Sequence, residues 1–178
     1  MFDKLQVQDI INNALKEDLG PDGIDITTHS LISDSDKVCA VISTRSNCII
    51  SGIEVVKQVF MTLDSNLKFD CFCKDGDHKT IGSKLLQIEG SACSILKAER
   101  TALNLFQRMC GISTQTSSFC KASKRPDLLI LDTRKTTPGL RIIERLAVSV
   151  GGGINHRMGL YDAIMIKDNH LSIWSKKN

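Results

Sequence analysis

Cationic side chains gather in the last third of this sequence, beside two short apolar runs. The run DLLILD is followed directly by Thr133, Arg134 and Lys135. The run YDAIMI is followed by Lys167. Guanidinium and ammonium groups bind carboxylates and phosphates through charge-assisted hydrogen bonds, and Arg often makes two parallel bonds to one carboxylate. These residue types predict an anion site with Arg134, Lys135 and Lys167 on one rim.

The two apolar runs flank a segment with helical periodicity, PGLRIIERLAVSV. Strand, helix and strand, with both strands apolar throughout, is typical of a parallel βαβ unit covered on both faces. Such folds bind ligands at the carboxyl ends of their strands, where these cations would lie. Thr137 is predicted to cap the helix, with Pro138 at its first position, so that the helix N-terminus also attracts the anion. An ordinary capped helix beside two solvent-facing cations is the alternative.

Three consecutive glycines, residues 151–153, precede His156 and Arg157. One glycine can end a helix in the left-handed conformation, but that leaves the other two unexplained. Neither G-x-G-x-x-G nor the P-loop pattern occurs, so the usual nucleotide-binding fingerprints are absent. A loop that leads from helix to strand lies at the end of the fold opposite the predicted site. The pattern therefore offers no route by which His156 and Arg157 reach the ligand.

The residues upstream predict a small α+β unit that leads into a long helix. Apolar periodicity indicates helices at LQVQDIINNALKEDL and IEVVKQVFMTL, and strands at KVCAVIST, NCIISG, LKFDCFC and KLLQIEG. An amphipathic helix is predicted over residues 92–121, with Gly111 as the position where it would kink. Arg100, Asn104 and Gln107 recur on one face of this helix, and the spacing alone favours an ordinary solvated face.

Composition restricts the class of protein. With 42% hydrophobic and 24% charged residues, the chain is expected to be globular, without a membrane span or secretory signal, and cytoplasmic. The seven cysteines contain no C-x-x-C pair and are expected to be free thiols. Lys and Arg outnumber Asp and Glu by 11 to 5 from Lys121 onward but not before it, at 12 to 15. An anionic ligand therefore favours the C-terminal third, whereas the 4% aromatic content argues against nucleic acid.

Five segments, in this order along the chain, resemble the quinolinate phosphoribosyltransferase family. They are EDLGPDGIDITT, DGDHKTIGSKLLQIEGSACSIL, KAERTALNLFQRMCGIST, LDTRKTTPGLR and GGGINHRMGLYDAIMIKDNH. The resemblance implies an α/β protein, with an N-terminal α/β sandwich (α+β) domain at residues 1–110 and the first units of an α/β barrel at 111–178. It also implies a homodimer in which one subunit's N-terminal domain covers the partner's barrel.

By the same resemblance, the substrates are quinolinate and phosphoribosyl pyrophosphate, accompanied by Mg²⁺. The products are nicotinate mononucleotide, pyrophosphate and CO₂, in the de novo synthesis of NAD. The family's quinolinate-binding positions fall on Arg100, which would reach across the dimer, and on Thr133, Arg134, Lys135, His156, Arg157 and Lys167. Lys135 and Lys167 are the expected catalytic residues, and no metal ligand is assigned.

The sequence departs from the family in the length of its barrel. A complete α/β barrel takes about 250 residues, whereas 68 residues follow Cys110 here. The family's acidic groups for ribose and metal, and its glycine-rich phosphate loops, are missing from these residues. We therefore expect a C-terminally truncated barrel that does not catalyse the reaction alone. A non-catalytic dimerising or anion-binding remnant, and a paralogue of the same fold associated with molybdenum transport, are the alternatives.

Overall fold

The structure is a computed structural model and describes residues 4–125 and 127–176. Its elements are α1 (Lys4–Leu19), α2 (Ile26–Leu31), β1 (Lys37–Ser43), β2 (Cys48–Ile49), α3 (Ile53–Leu63), β3 (Lys68–Cys71), β4 (His78–Lys79), β5 (Lys84–Ser91), α4 (Ala92–Ala122), α5 (Arg141–Val150) and α6 (Asp168–Trp174). The predicted helices α1, α3, α4 and α5 and the predicted strands β1, β2, β3 and β5 are confirmed. In the described ranges, no helix has the length and apolarity needed to cross a membrane.

The N-terminal part is built on an antiparallel sheet in which β5 lies between β1 and β3. Lys37 pairs with Ser91 at one end of the β1–β5 ladder, and β2 pairs with β4 in a separate two-stranded sheet. Leu86 and Ile88 lie on one face of β5 and are both buried, and Leu85 on its other face is buried as well. This arrangement matches the small α+β unit predicted from the sequence.

Helix α4 runs through the centre of the molecule. It packs against α3 and α5, and its predicted apolar stripe is buried throughout, at Ile95, Ala98, Ala102, Leu105 and Met109. The helix remains continuous through Gly111 to Ala122, so the domain boundary expected after Cys110 lies within one helix. The core continues across this point through Ile143 and Ala147 of α5, which are fully buried. One helix thus anchors both parts of the chain.

The cysteines are all free thiols, as predicted. Cys110 of α4 is buried against Ser51, whose backbone N–H donates to the sulfur at 3.4 Å. Burial raises the pKa of the Cys110 thiol to about 12. This cysteine therefore behaves as a core residue and not as a nucleophile.

The two strands predicted at 128–131 and 161–166 are wrong. Within the first run, only Leu131 makes a bridge, which is parallel and pairs it with Ile154. In the second run, Ile164 is 94% exposed, and among the described residues no hydrogen bond between two backbone groups involves residues 163–166. A parallel strand needs hydrogen-bonded neighbours and cover for its apolar faces. The described residues supply neither to the second run.

The predicted cap of α5 is also wrong. The helix begins at Arg141, and Leu140 precedes it without a side-chain capping bond. Gly139 adopts φ +81°, a left-handed conformation that keeps the Thr137–Pro138 segment outside the helix. Thr137 instead accepts a hydrogen bond from Arg108, and its N–H donates to the Glu144 carboxylate at 3.3 Å. A carboxylate of the chain itself therefore occupies the position where the anion was expected.

Candidate functional site

A parallel contact brings two of the cationic segments to one edge. Ile154 N–H donates to the Ile130 carbonyl at 2.8 Å, and Asp132 N–H donates to the Ile154 carbonyl at 3.0 Å. Because the two segments run in the same direction, the residues that follow Asp132 and those that follow Ile154 leave from the same end. The second strand was predicted at 161–166, which is later in the chain than the observed contact at Ile154. His156 and Arg157 therefore follow the strand position and do not precede it, which supplies the missing route.

The three glycines make this short connection from α5 sterically feasible. Gly152 has φ +93°, in the left-handed region. A Cβ atom on Gly151 would lie 2.4 Å from the Ser113 carbonyl oxygen of α4. One on Gly153 would lie 2.7 Å from Val148 Cγ1 and 2.9 Å from a methyl of Thr116. One glycine is thus required by backbone conformation and two by close approach to neighbouring atoms.

A buried ion pair that was not predicted from the sequence holds the backbone at this edge. Arg145 Nη1 lies 3.5 Å from Asp132 Oδ2, with side chains only 10% and 4% exposed. We call this pair the Asp132–Arg145 brace. When the Asn155 amide is oriented so that its nitrogen and its oxygen both have partners, the nitrogen donates to Asp132 Oδ2 at 2.8 Å and the oxygen accepts from Ser149 Oγ at 2.9 Å. The signal in the sequence was Arg145, a charged residue among the apolar residues of the helix predicted at PGLRIIERLAVSV.

The Thr133–Lys135 segment follows the first strand position directly. Thr133 Oγ1 accepts from the Lys135 N–H at 3.1 Å, which shapes the turn after Asp132. Arg134 is half-buried, and its Nε is buried without a hydrogen-bond partner among the described residues. The Lys135 side chain is exposed, and its ammonium has no partner within the same described part of the chain. This segment therefore offers unpaired cationic donors beside the parallel contact.

His156 and Arg157 lie at the end of the second strand position. His156 Nδ1 accepts a hydrogen bond from the Arg157 N–H at 2.7 Å. A neutral imidazole that accepts at Nδ1 carries its proton on Nε2. The Arg157 guanidinium donates to the Ala163 carbonyl at 2.9 Å and keeps its other donors for further partners.

Two predicted site residues lie apart from this group. Lys167 precedes α6 in an extended conformation, is exposed, and donates its N–H to His170 Nδ1 at 3.0 Å. Arg100 is exposed on α4 and lines a groove of about 740 Å³ beside β1. Within the described ranges, no hydrogen bond or ion pair links either cation to residues 133–157. That Lys167 lies on the same rim as Arg134 and Lys135 stays a prediction.

A second arginine–carboxylate pair joins α4 to α5 without reaching the edge just described. Arg108 Nε donates to Glu144 Oε1 at 2.8 Å, and the Glu144 side chain is 10% exposed. Neither residue contacts His156 or Arg157 among the hydrogen bonds of the described residues. Over the same ranges, no group of three or more His, Cys, Asp or Glu side chains could hold a metal ion.

Comparison with known proteins assigns both parts of the chain. The family model "Quinolinate phosphoribosyl transferase, N-terminal domain" matches residues 25–110, and the corresponding C-terminal domain matches residues 112–177. A protein of Bacillus subtilis (strain 168) described as a probable nicotinate-nucleotide pyrophosphorylase [carboxylating] is 40% identical over 168 residues, which are 94% of this chain and 57% of the relative. The chloroplastic nicotinate-nucleotide pyrophosphorylase [carboxylating] of Arabidopsis thaliana is 42% identical over 92% of this chain and 46% of its own length.

Solved structures show the same mixed α/β fold. NadC from Streptococcus pyogenes superimposes with a TM-score of 0.93 at 36% identity, covering 98% of this chain and 61% of that one. The nicotinate-nucleotide pyrophosphorylase from Francisella tularensis gives 0.89 at 34% identity, covering 98% and 62%. The chain thus spans about half the length of the curated relatives, and its fold is theirs over that span. On these matches, the chain belongs to the quinolinate phosphoribosyl transferase family.

Proposed function

We propose that the protein represented by this chain transfers a phosphoribosyl group from phosphoribosyl pyrophosphate to quinolinate, with decarboxylation, and so serves de novo NAD synthesis. Family membership supports the reaction class. The observation that carries the proposal is the parallel contact between Leu131 and Ile154, because it directs two cationic segments to one edge. These residues contribute the dicarboxylate-binding part of the site.

The cations suit a ring that bears two adjacent carboxylates. Arg134 and Arg157 can each bind a carboxylate through two parallel hydrogen bonds, and Lys135 adds compact positive charge. A buried donor left unpaired costs about 1–3 kcal/mol. A carboxylate bound at Arg134 Nε would supply the missing acceptor at that position. This pairing favours an occupied site over an empty one.

The reaction needs positioned charge and no covalent nucleophile. The pyridine nitrogen attacks the anomeric carbon while the bond from that carbon to pyrophosphate breaks. The nitrogen is then positively charged and stabilises the electron pair left on the ring as the neighbouring carboxylate departs as CO₂, after which that carbon takes up a proton. Lys135 and Lys167 are the proposed catalytic residues, since their positive charges would stabilise the negative charge that develops on the departing pyrophosphate. Mg²⁺ would enter as counter-ion of the pyrophosphate group, whose negative charge it neutralises as that group leaves.

We also propose a homodimer in which Arg100 completes the partner's site. Arg100 lies on the rim of the groove beside β1, and its guanidinium has no partner among the described residues. It shares the exposed face of α4 with Asn104 and Gln107, which bond to each other at 3.4 Å. A long, exposed, unpaired cation on a rigid helix can reach an anion bound to a second subunit.

The proposal is tested by calorimetric titration of the chain with quinolinate and with nicotinate, which lacks one carboxylate. Quinolinate should bind more tightly, and Arg134→Gln should weaken its binding about 10- to 100-fold, because a charged hydrogen bond contributes about 1.5–3 kcal/mol. Arg125→Gln is the matched control, since Arg125 is exposed and pairs with Asp127. Equal affinity for both ligands, or an unaffected Arg134→Gln variant, would contradict the proposal.

The dimer is tested by repeating the quinolinate titration over a range of protein concentrations. Affinity should increase as sedimentation shows dimers forming, and Arg100→Gln should remove that increase without preventing assembly. A dimer whose affinity for quinolinate does not depend on Arg100 would contradict the shared site.

A further inference from the structure

We infer that Asp132 and Arg145 are positioning residues that fix the tautomer of His156, so that the imidazole presents Nε2–H to a substrate carboxylate. The inference rests on the proposed function for its ligand, but its geometry lies wholly within this chain. It concerns two side chains that are themselves too buried to touch a substrate, at 4% and 10% exposure.

The brace binds the peptide groups on both sides of His156. Arg145 Nη2 donates to the His156 carbonyl at 2.6 Å, and Nη1 donates to the Arg157 carbonyl at 2.9 Å. Asp132 Oδ1 accepts from the His156 N–H at 2.8 Å. The N–H and C=O groups of His156 are therefore both held by the same ion pair. Little freedom is left in the backbone dihedrals of this residue.

This fixed backbone determines what the imidazole can do. With the His156 peptide held, the next N–H, that of Arg157, points at His156 Nδ1 at 2.7 Å. Nδ1 is then an acceptor, and the single proton of the neutral ring must be on Nε2. Nε2–H can donate to a carboxylate oxygen. The opposite tautomer would face the same oxygen with a lone pair and repel it.

The burial of the Asp132–Arg145 pair is consistent with a positioning role. Replacing buried ion pairs by well-packed apolar residues is often neutral or stabilising, so such a pair is weak evidence of a stabilising role. Asn155 extends the network through its amide, which donates to Asp132 Oδ2 and to the Arg145 carbonyl. The N–H and C=O groups of His156, the Arg157 carbonyl and the Asn155 amide are thus all bonded to Asp132 or Arg145.

The Arg108–Glu144 pair provides a matched control within the same molecule. It also involves α5, it is also partly buried, and it makes no contact with the His156–Arg157 peptide among the bonds of the described residues. A general loss of helix packing would affect Arg108→Lys and Arg145→Lys alike. Loss of positioning would affect only Arg145→Lys. A lysine ammonium lacks the planar guanidinium with which Arg145 bridges two carbonyls and a carboxylate.

The test is a long-range ¹H–¹⁵N correlation spectrum of the histidine rings at pH 8, with the His156 signals assigned by their loss in His156→Gln. The wild-type chain should show an unprotonated Nδ1 and a protonated Nε2 for His156. Arg145→Lys and Asp132→Asn should show mixed tautomers, and quinolinate affinity should fall about fivefold to tenfold, as expected for one lost hydrogen bond. Arg108→Lys should keep the wild-type spectrum and affinity.

Each outcome decides the inference. A single Nε2–H tautomer in folded Arg145→Lys or Asp132→Asn would overturn it, as would equal changes in the His156 spectrum of Arg108→Lys. If Arg145→Lys does not fold, Asp132→Asn decides, because it preserves side-chain shape and one acceptor oxygen. If the wild-type chain binds no quinolinate, the proposed function fails while the spectra still decide the positioning role.

Discussion

The antiparallel sheet of residues 37–91 and the C-terminal segment of residues 160–174 differ in how far the chain itself covers their apolar side chains. In the sheet, β5 finds both neighbours within its own part of the chain, and Leu86 and Ile88 are buried. In the C-terminal segment, Ile164 is 94% exposed and Trp174 is 65% exposed. The sheet therefore finds its partner strands within residues 37–91, although β2, α3, β3 and β4 separate β1 from β5 along the chain. Residues 160–174 find no comparable cover among the described residues.

Between these extremes lies α5, where cover from within the chain is still present. Ile143 and Ala147 are buried against α4, and Glu144 pairs with Arg108 of the same helix. The edge with Thr133–Lys135 and His156 is held from α5 by Arg145. The part of the site that α4 and α5 support is thus ordered by buried contacts. Residues 160–174, including Lys167, have no comparable cover among the described residues.

The largest effect that this comparison predicts is on turnover. We expect the 178-residue chain, assayed alone with quinolinate, phosphoribosyl pyrophosphate and Mg²⁺, to form no nicotinate mononucleotide above a no-enzyme control. The supported edge carries the cations proposed for the dicarboxylate, but within the described residues no group of three or more His, Cys, Asp or Glu side chains could hold a metal ion for the co-substrate. Lost positioning of a co-substrate removes about 7–11 kcal/mol of barrier lowering. The Bacillus subtilis relative serves as positive control, and sustained turnover by the chain would contradict the expectation.

The second effect concerns stability and compares the two regions directly. Phe60 of α3 is 1% exposed in the core, so Phe60→Ala should lower the free energy of unfolding by about 3–5 kcal/mol. Ile164→Ala, at a site 94% exposed, should change it by less than about 0.5 kcal/mol. Urea denaturation followed by circular dichroism measures both. A large loss in Ile164→Ala would show that residues 160–166 pack against something within the chain.

Most of the fold could be predicted because its elements carry their own signals. The stripe from Ile95 to Met109 has a clear helical period, and the strands that form the sheet are separated by turn residues. The strands predicted at 128–131 and 161–166 failed for one reason. Apolar composition indicates that a segment will be buried but not what will cover it. The exposed Ile164 shows the consequence when the described residues contain no cover.

The candidate site was predicted in its residue types but not in its geometry. Arg134, Lys135 and Lys167 were identified from charge, yet His156 and Arg157 had no route to them from periodicity alone. A strand position one residue long, Ile154, is too short to show periodicity, and so the parallel contact was invisible in the sequence. The Asp132–Arg145 brace was missed because an ion pair between residues 13 apart in sequence has no local pattern.

The third effect is smaller and tests the junction between the two regions. Gly151→Ala would place a methyl group 2.4 Å from the Ser113 carbonyl oxygen and 2.8 Å from Thr116 Cβ, atoms of α4 that cannot both move aside. The connection from α5 to Ile154 would have to shift, at a cost of about 1–3 kcal/mol in the free energy of unfolding. Urea denaturation measures the loss. Unchanged stability would mean that α5 is not seated on α4 as described.

Gly111→Ala is the matched substitution on α4 itself, and its effect should be the smallest and opposite in sign. Gly111 is helical, and a Cβ atom there would meet nothing within 4 Å. Alanine in a helix interior is favoured over glycine by about 0.8–1.0 kcal/mol, largely because glycine loses more backbone freedom on folding. The free energy of unfolding should therefore rise by roughly that amount. Because α4 anchors both regions, one cooperative transition should move to higher urea, and two transitions that respond separately would show that the regions unfold independently.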